Sequence, residues 1–245
     1  MLKEIITFSL FGQQVTLYYY GFFLLLAVLA GVLILYRELK KRQLETKRIL
    51  DNILWILLCG VLGGRLAYVL FHCGYYLDNL SEIYQYWYGG FYFGGAFLGA
   101  FIYVFAWLYL KKRQELLSWL DASIEAIFVS YAVASLGSYI AGVQSGKMFA
   151  ESLSKHPFEL YQAIAYVTLF FLATASYRYV KNLQPGDIFF AGMILSGITQ
   201  FVLAFALDDS LIFRIGSLIF NPVHILALLV LTVGVIGLIM KRRNT

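Results

Sequence analysis

Seven long apolar runs, at residues 16–36, 49–72, 90–110, 117–142, 157–177, 188–207 and 219–240, dominate this sequence of 245 residues. About 20 apolar residues in a helix span about 30 Å of hydrocarbon, where every backbone N–H and C=O has to be satisfied within the protein. The pattern predicts an all-α, polytopic integral membrane bundle of about seven transmembrane helices, with no alternating barrel strands. Composition agrees, because 61% hydrophobic and only 13% charged residues leave too little polar surface for a soluble domain. No Ser-, Pro- or Gly-rich tract marks a linker, so residues 1–245 read as a single transmembrane domain. The apolar patch IITFSLF before the first run is too short for a signal-peptide core, and the first span is expected to stay uncleaved.

Lysine and arginine fix the expected orientation. Arg37, Lys40, Lys41, Arg42, Lys47 and Arg48 lie in the first connection, Lys111, Lys112 and Arg113 in the third, and Arg178 and Lys181 in the fifth. Lys241, Arg242 and Arg243 end the chain. These share one side, the cytoplasm, which places the N-terminus outside and the C-terminus inside. The net charge of +5 is therefore a positive-inside signal toward anionic lipid, and nucleic-acid binding is not expected. Cys59 and Cys73 lie fourteen positions apart on one run, about 21 Å along a helix, too far for a disulfide. His and Cys form no cluster, so no metal or cofactor is expected.

With that orientation the unusual residues collect at the outer layer: TLYYYG (16–21), LGGRLAYVLF (62–71), WYGGFYFGGAFLGA (87–100), SLGSYIAGVQSG (135–146), HPFELYQ (156–162), Gln200 and NPVH (221–224). Arg65 has two readings. A guanidinium inside a span either pairs with an acid or with backbone carbonyls, or it meets a lipid phosphate, whose oxygens match its planar fork. The glycines from Gly63 to Gly99 either let helices approach closely or line a headgroup pocket with bare amides. His156 before Pro157 is either a polar group at a helix start or a proton acceptor or headgroup ligand. Asp121 and Glu125, four apart on one helix face, are expected to pair with nearby Lys or Arg. Tyr18, Tyr19, Tyr20, Tyr84, Tyr86, Trp87 and Tyr88 suit an interfacial aromatic belt.

Taken in order, these motifs resemble the bacterial prolipoprotein diacylglyceryl transferase family, from about Leu17 to the last span. Tyr20 and Gly21 look like its first-span YG pair, and LGGRLAYVLF places Arg65 on its arginine. Tyr84, Trp87, Gly89, Gly90, Phe93, Gly95 and Gly99 resemble its aromatic and glycine motif. Asp121 matches an acid, and His156, Pro157, Leu160 and Tyr161 match its HPxxLY. The resemblance implies diacylglyceryl transfer from phosphatidylglycerol to the cysteine of a lipoprotein precursor, in the bacterial cytoplasmic membrane. It implies His156, Tyr20 and Gln162 as catalytic positions, with His156 taking the thiol proton. Arg65, Gly90, Gly95, Ser135, Ser138, Gly146, Tyr161 and Gln200 follow as lipid-binding positions. Partners implied are an anionic phospholipid and the precursor's signal segment.

The resemblance departs from the family at charged positions. Gly94 stands where the family has histidine, and Ser135, Ser138, Ala141 and Val143 stand at the Arg, Asn, Asn and Glu of RxGNxxNGE. Gln162 replaces the Glu after HPxxLY, and Ser196, Gln200 and Ala204 replace a Tyr, an Arg and a Glu. The outer connection from Gly146 to His156 is also short. A catalytically silent phospholipid- or lipoprotein-binding protein on the same fold is the alternative. A seven-span receptor or transporter fits the topology without the ordered motifs, and no lysine in the last span could hold a retinal.

Overall fold

The computed structural model describes residues 4–10, 13–85, 90, 93–111, 113–143, 145–148, 155–208, 213–215 and 218–243. Tyr86, Trp87, Tyr88, Gly89 and Lys112 lie outside the described residues. Long helices fill the chain: α1 Tyr19–Lys41, α2 Lys47–Phe71, α4 Phe93–Lys111, α5 Leu116–Ile140, α6 Phe158–Tyr179, α7 Asp187–Leu203 and α8 Pro222–Arg243, with a short α3 at Cys73–Asp78. Six stretches are long and apolar enough to cross a membrane: Tyr19–Lys41, Asp51–Phe71, Leu116–Ile140, Phe158–Tyr179, Asp187–Ala206 and Val223–Arg243. The chain is thus an all-α, multi-pass membrane protein. In α4 the described apolar part is the shorter Leu98–Lys111.

Two hairpins add to the expected helices. Strands β1 (Glu4–Leu10) and β2 (Gln13–Tyr18) pair antiparallel, as do β3 (Phe213–Ile215) and β4 (Leu218–Phe220). The first helix therefore begins at Tyr19, three residues after the run that predicts it, because Gln13–Tyr18 satisfies its backbone across a strand pair instead. The alternation Val15, Leu17 against Gln14, Thr16 is the signal for this strand. Likewise α2 stops at Phe71, so Cys59 and Cys73 occupy different helices, and both are free thiols.

The chain forms two compact units. One holds residues 43–116, where α2 and α4 pack along their lengths. Their contact needs glycine: a Cβ on Gly63 would lie 2.4 Å from the Gly95 carbonyl oxygen, and one on Gly99 would lie 2.3 Å from that of Cys59. Close packing thus accounts for Gly63, Gly95 and Gly99.

The other unit holds residues 1–42 and 117–245. Helices α7 and α8 pack along their lengths there, and α8 starts with Pro222 in its first turn, where a missing N–H is harmless. Asn221 caps it, its side-chain oxygen accepting the His224 N–H at 3.2 Å while His224 Nδ1 accepts the Asn221 N–H at 3.0 Å. Asp121 of α5 caps α7, its carboxylate accepting the N–H groups of Gly186 and Phe189, each at 2.7 Å. Gly186 itself sits at φ +94°, a left-handed conformation that glycine adopts without strain.

An ionic cluster ties α1 to this cap. Arg42 Nη2 donates to Glu125 Oε1 at 2.8 Å, Arg42 Nη1 lies 3.6 Å from Asp121, and Thr174 donates to the second Glu125 oxygen at 3.0 Å. Arg42 stacks over Tyr177, while Glu38 pairs with Lys41 and Arg37. The expected pairing of Asp121 and Glu125 with a connection cation is therefore present, and the cation is Arg42.

Candidate functional site

In the unit of residues 43–116, Arg65 projects from the last two turns of α2. Its Nε donates to the Ile83 carbonyl at 3.0 Å, Nη1 to Gly90 at 3.2 Å and Nη2 to Glu82 at 2.6 Å. Its guanidinium carbon lies 5.4 Å from the Tyr76 ring centre, within cation–π range. Backbone-carbonyl bonding, one of the two sequence readings, is thus observed. A cavity of about 460 Å³ also opens beside the guanidinium, lined by Arg65, Tyr68, Tyr75, Tyr76, Glu82 and Gly90 among others. The carbonyl dipoles fix the guanidinium without cancelling its charge. Tyr75 donates to Glu82 Oε2 at 2.9 Å, and that carboxylate holds the phenol above its ordinary range.

Gly90 belongs to this cavity and has φ +78°; a Cβ there would lie 2.7 Å from both Arg65 Nη1 and Tyr68 Cε1. Gly95 does not join the cavity lining, and its surroundings are the α2–α4 contact.

The other unit gathers uncharged polar groups. Gln162 Nε2 donates to Tyr131 Oη at 3.1 Å and to Gln200 Oε1 at 3.3 Å; Gln200 Nε2 donates to Tyr131 at 3.0 Å and to Tyr166 at 3.1 Å. Each amide uses both of its N–H hydrogens, and the two phenol rings meet at a 35° tilt with centres 4.2 Å apart. Tyr20 stands in the first turn of α1 in the same unit. Ser135 is buried, whereas the Ser138 hydroxyl donates to the Ala134 carbonyl of its own helix at 3.1 Å.

At the head of α6, Pro157 takes the N-cap position and His156 Nδ1 lies 3.4 Å from Tyr161 Oη. The His156 N–H donates to the Lys147 carbonyl at 2.8 Å. Gly146 packs so tightly on this residue that a Cβ would lie 2.0 Å from the His156 carbonyl oxygen. The segment Ser145–Met148 is a strap, with Lys147 donating to Ala206 at 2.8 Å and Asp208 donating to Ser145 at 2.7 Å.

The family model for prolipoprotein diacylglyceryl transferase matches residues 6–240. The chain belongs to that family. It is 25% identical to the phosphatidylglycerol–prolipoprotein diacylglyceryl transferase of Lactococcus lactis subsp. cremoris, over 92% of this chain and 90% of that protein. The proteins of the same name from Streptococcus mutans and Finegoldia magna are 26% and 29% identical, over 92% and 87% of this chain and 91% and 86% of theirs.

Within the diacylglyceryl transferase family frame, Gln162 and Gln200, at positions that carry a Glu and an Arg in the motifs above, meet directly here. Their contact joins α6 to α7 through uncharged amides. Three residues of this neighbourhood escaped the sequence reading: Tyr131, Tyr166 and Glu159. The first two lie four positions from Ser135 and Gln162, a helix neighbour spacing that identifies them in retrospect.

Proposed function

We propose that this protein transfers the diacylglyceryl group of phosphatidylglycerol to the cysteine of a lipoprotein precursor. Membership of the family across residues 6–240, with relatives that carry this name, is the observation that carries the reading. The Arg65 cavity takes an anionic headgroup, since a fixed guanidinium beside open space is preorganised for phosphate. Within the other unit by itself, Tyr20 and Gln162 orient reacting groups, Ser135, Ser138, Gly146, Tyr161 and Gln200 contribute the polar surroundings of that unit, and the head of α6 around His156 receives the thiol proton. Gly90 serves the lipid side of the Arg65 cavity, while Gly95 holds α4 against α2. The chain acts as one domain with seven spans, α4 being the seventh. Its N-terminus lies outside and its basic C-terminus inside the bacterial cytoplasmic membrane, where the precursor's signal segment docks.

The test incubates purified protein with phosphatidylglycerol vesicles and a peptide bearing the precursor cysteine, and seeks the lipidated cysteine by mass spectrometry. Arg65→Ala is expected to lower the transfer rate about 100-fold or more, as loss of one preorganised donor to an anion does. Unchanged transfer and unchanged lipid retention would remove Arg65 from the scheme. A second reading, a silent lipid-binding protein, is favoured by one observation: the Gln162–Gln200–Tyr131–Tyr166 cluster bonds to itself without formal charge. Bound lipid with no adduct from the wild-type protein would select it.

A further inference from the structure

Glu159 stands in the first turn of α6 and is only 4% exposed. Gln162 and Tyr166 follow it at three and seven residues, so the three share one helix face, the face that builds the amide–phenol cluster. Glu159 Oε1 accepts the Ser145 N–H of the strap at 2.8 Å. Its other oxygen, Oε2, is buried and has no hydrogen-bond partner among the described residues. An isolated buried carboxylate oxygen is unfavourable, and an amide at this position would accept the same Ser145 N–H without carrying charge. Folding alone therefore does not call for a carboxylate here, and a buried acid in a membrane helix points to chemistry.

We propose that Glu159, rather than His156, is the group that accepts the thiol proton of the incoming cysteine. The inference rests on the transferase reading and assigns its proton to an atom. His156 Nδ1 faces the Tyr161 hydroxyl at the head of α6, whereas Glu159 Oε2 is a buried acceptor with no hydrogen-bond partner among the described residues. In the step, the S–H bond breaks and its proton moves to Glu159 Oε2. The thiolate sulfur attacks the glyceryl carbon that bears the phosphate ester, forming the C–S bond. The C–O bond to phosphate breaks, its electron pair stays on the phosphate oxygen, and glycerol phosphate leaves.

The experiment compares wild type, Glu159→Gln, Glu159→Asp and His156→Gln in phosphatidylglycerol vesicles with the cysteine peptide, reading both the lipidation rate and Tm. Glu159→Gln keeps the Ser145 bond and nearly the same shape, so its Tm is expected to stay within about 2 °C of wild type or to rise. Its rate is expected to fall by about 100-fold or more, the usual contribution of a positioned base. Glu159→Asp should retain part of the rate, and His156→Gln should lose less than Glu159→Gln. A Glu159→Gln rate equal to wild type overturns the assignment. So does a joint fall in rate and Tm, which would mark a structural role, and so does a larger loss in His156→Gln. A wild-type protein that makes no adduct defeats the transferase reading itself, and the proton acceptor with it.

Discussion

Arg42→Met is expected to destabilise the protein by about 3–5 kcal/mol, the cost of leaving a buried acid without its cation. Glu125 is fully buried, Asp121 nearly so, and Arg42 joins them with only 7% of its side chain exposed. Glu38, also fully buried, is paired with Lys41 and Arg37, so Arg42 is the cation in contact with both Glu125 and Asp121. Each kcal/mol moves Tm by about 2–4 °C in a chain of this size, so a fall on the order of 10 °C should appear in a thermal scan in detergent. Adding Glu125→Met should restore most of the loss, because an apolar pair replaces an ion pair at little cost. The exposed Arg37, which pairs with Glu38 at 56% side-chain exposure, is the internal control, and Arg37→Ala should cost about 1 kcal/mol or less. A Tm for Arg42→Met within 2 °C of wild type would mean that solvent, not the pair, neutralises these carboxylates.

Gly99→Leu should be nearly as damaging, through sterics instead of charge. The atoms that a side chain would strike are backbone: the Cys59 carbonyl oxygen and, at 3.1 Å, the Gly63 Cα. Neither can rotate away, so α2 and α4 have to separate along their shared length. Overpacking costs about 1–3 kcal/mol where side chains can adjust, and the upper end or beyond is expected against a rigid helix. Thermal unfolding and the yield of monodisperse protein measure it. Gly74→Ala, where nothing lies within 4 Å of the added carbon, should leave both unchanged. Equal behaviour of the two variants would show that glycine spacing in α2 and α4 reflects something other than contact.

The helices were legible because their cause is local. Each long apolar run maps onto a helix within a few residues, and the basic ends of α1 and α8 fit the negative ends of their helix dipoles. The hairpin at Glu4–Tyr18 was less legible, since its alternation is brief and runs directly into apolar residues that also suit a helix. Arg65 in one unit, and Gln162, Gln200 and His156 in the other, stood out as single residues, but what each one touches did not. Tyr131 looked like another ring in an apolar helix until Gln162 and Gln200 were seen to donate to it, 31 and 69 positions away in the chain.

The sequence by itself determined a multi-pass helical membrane protein of the diacylglyceryl transferase family, because hydrocarbon forces each backbone segment to satisfy itself and so writes the answer into consecutive residues. Tertiary structure alone decided the rest. It gave Arg65 three carbonyls and an open cavity, joined Arg42 to Glu125 across 83 positions, and left one oxygen of Glu159 buried beside a strap. Such pairings depend on which helix faces meet, and a guanidinium or carboxylate in the sequence carries no mark of the partner that the folded chain brings to it.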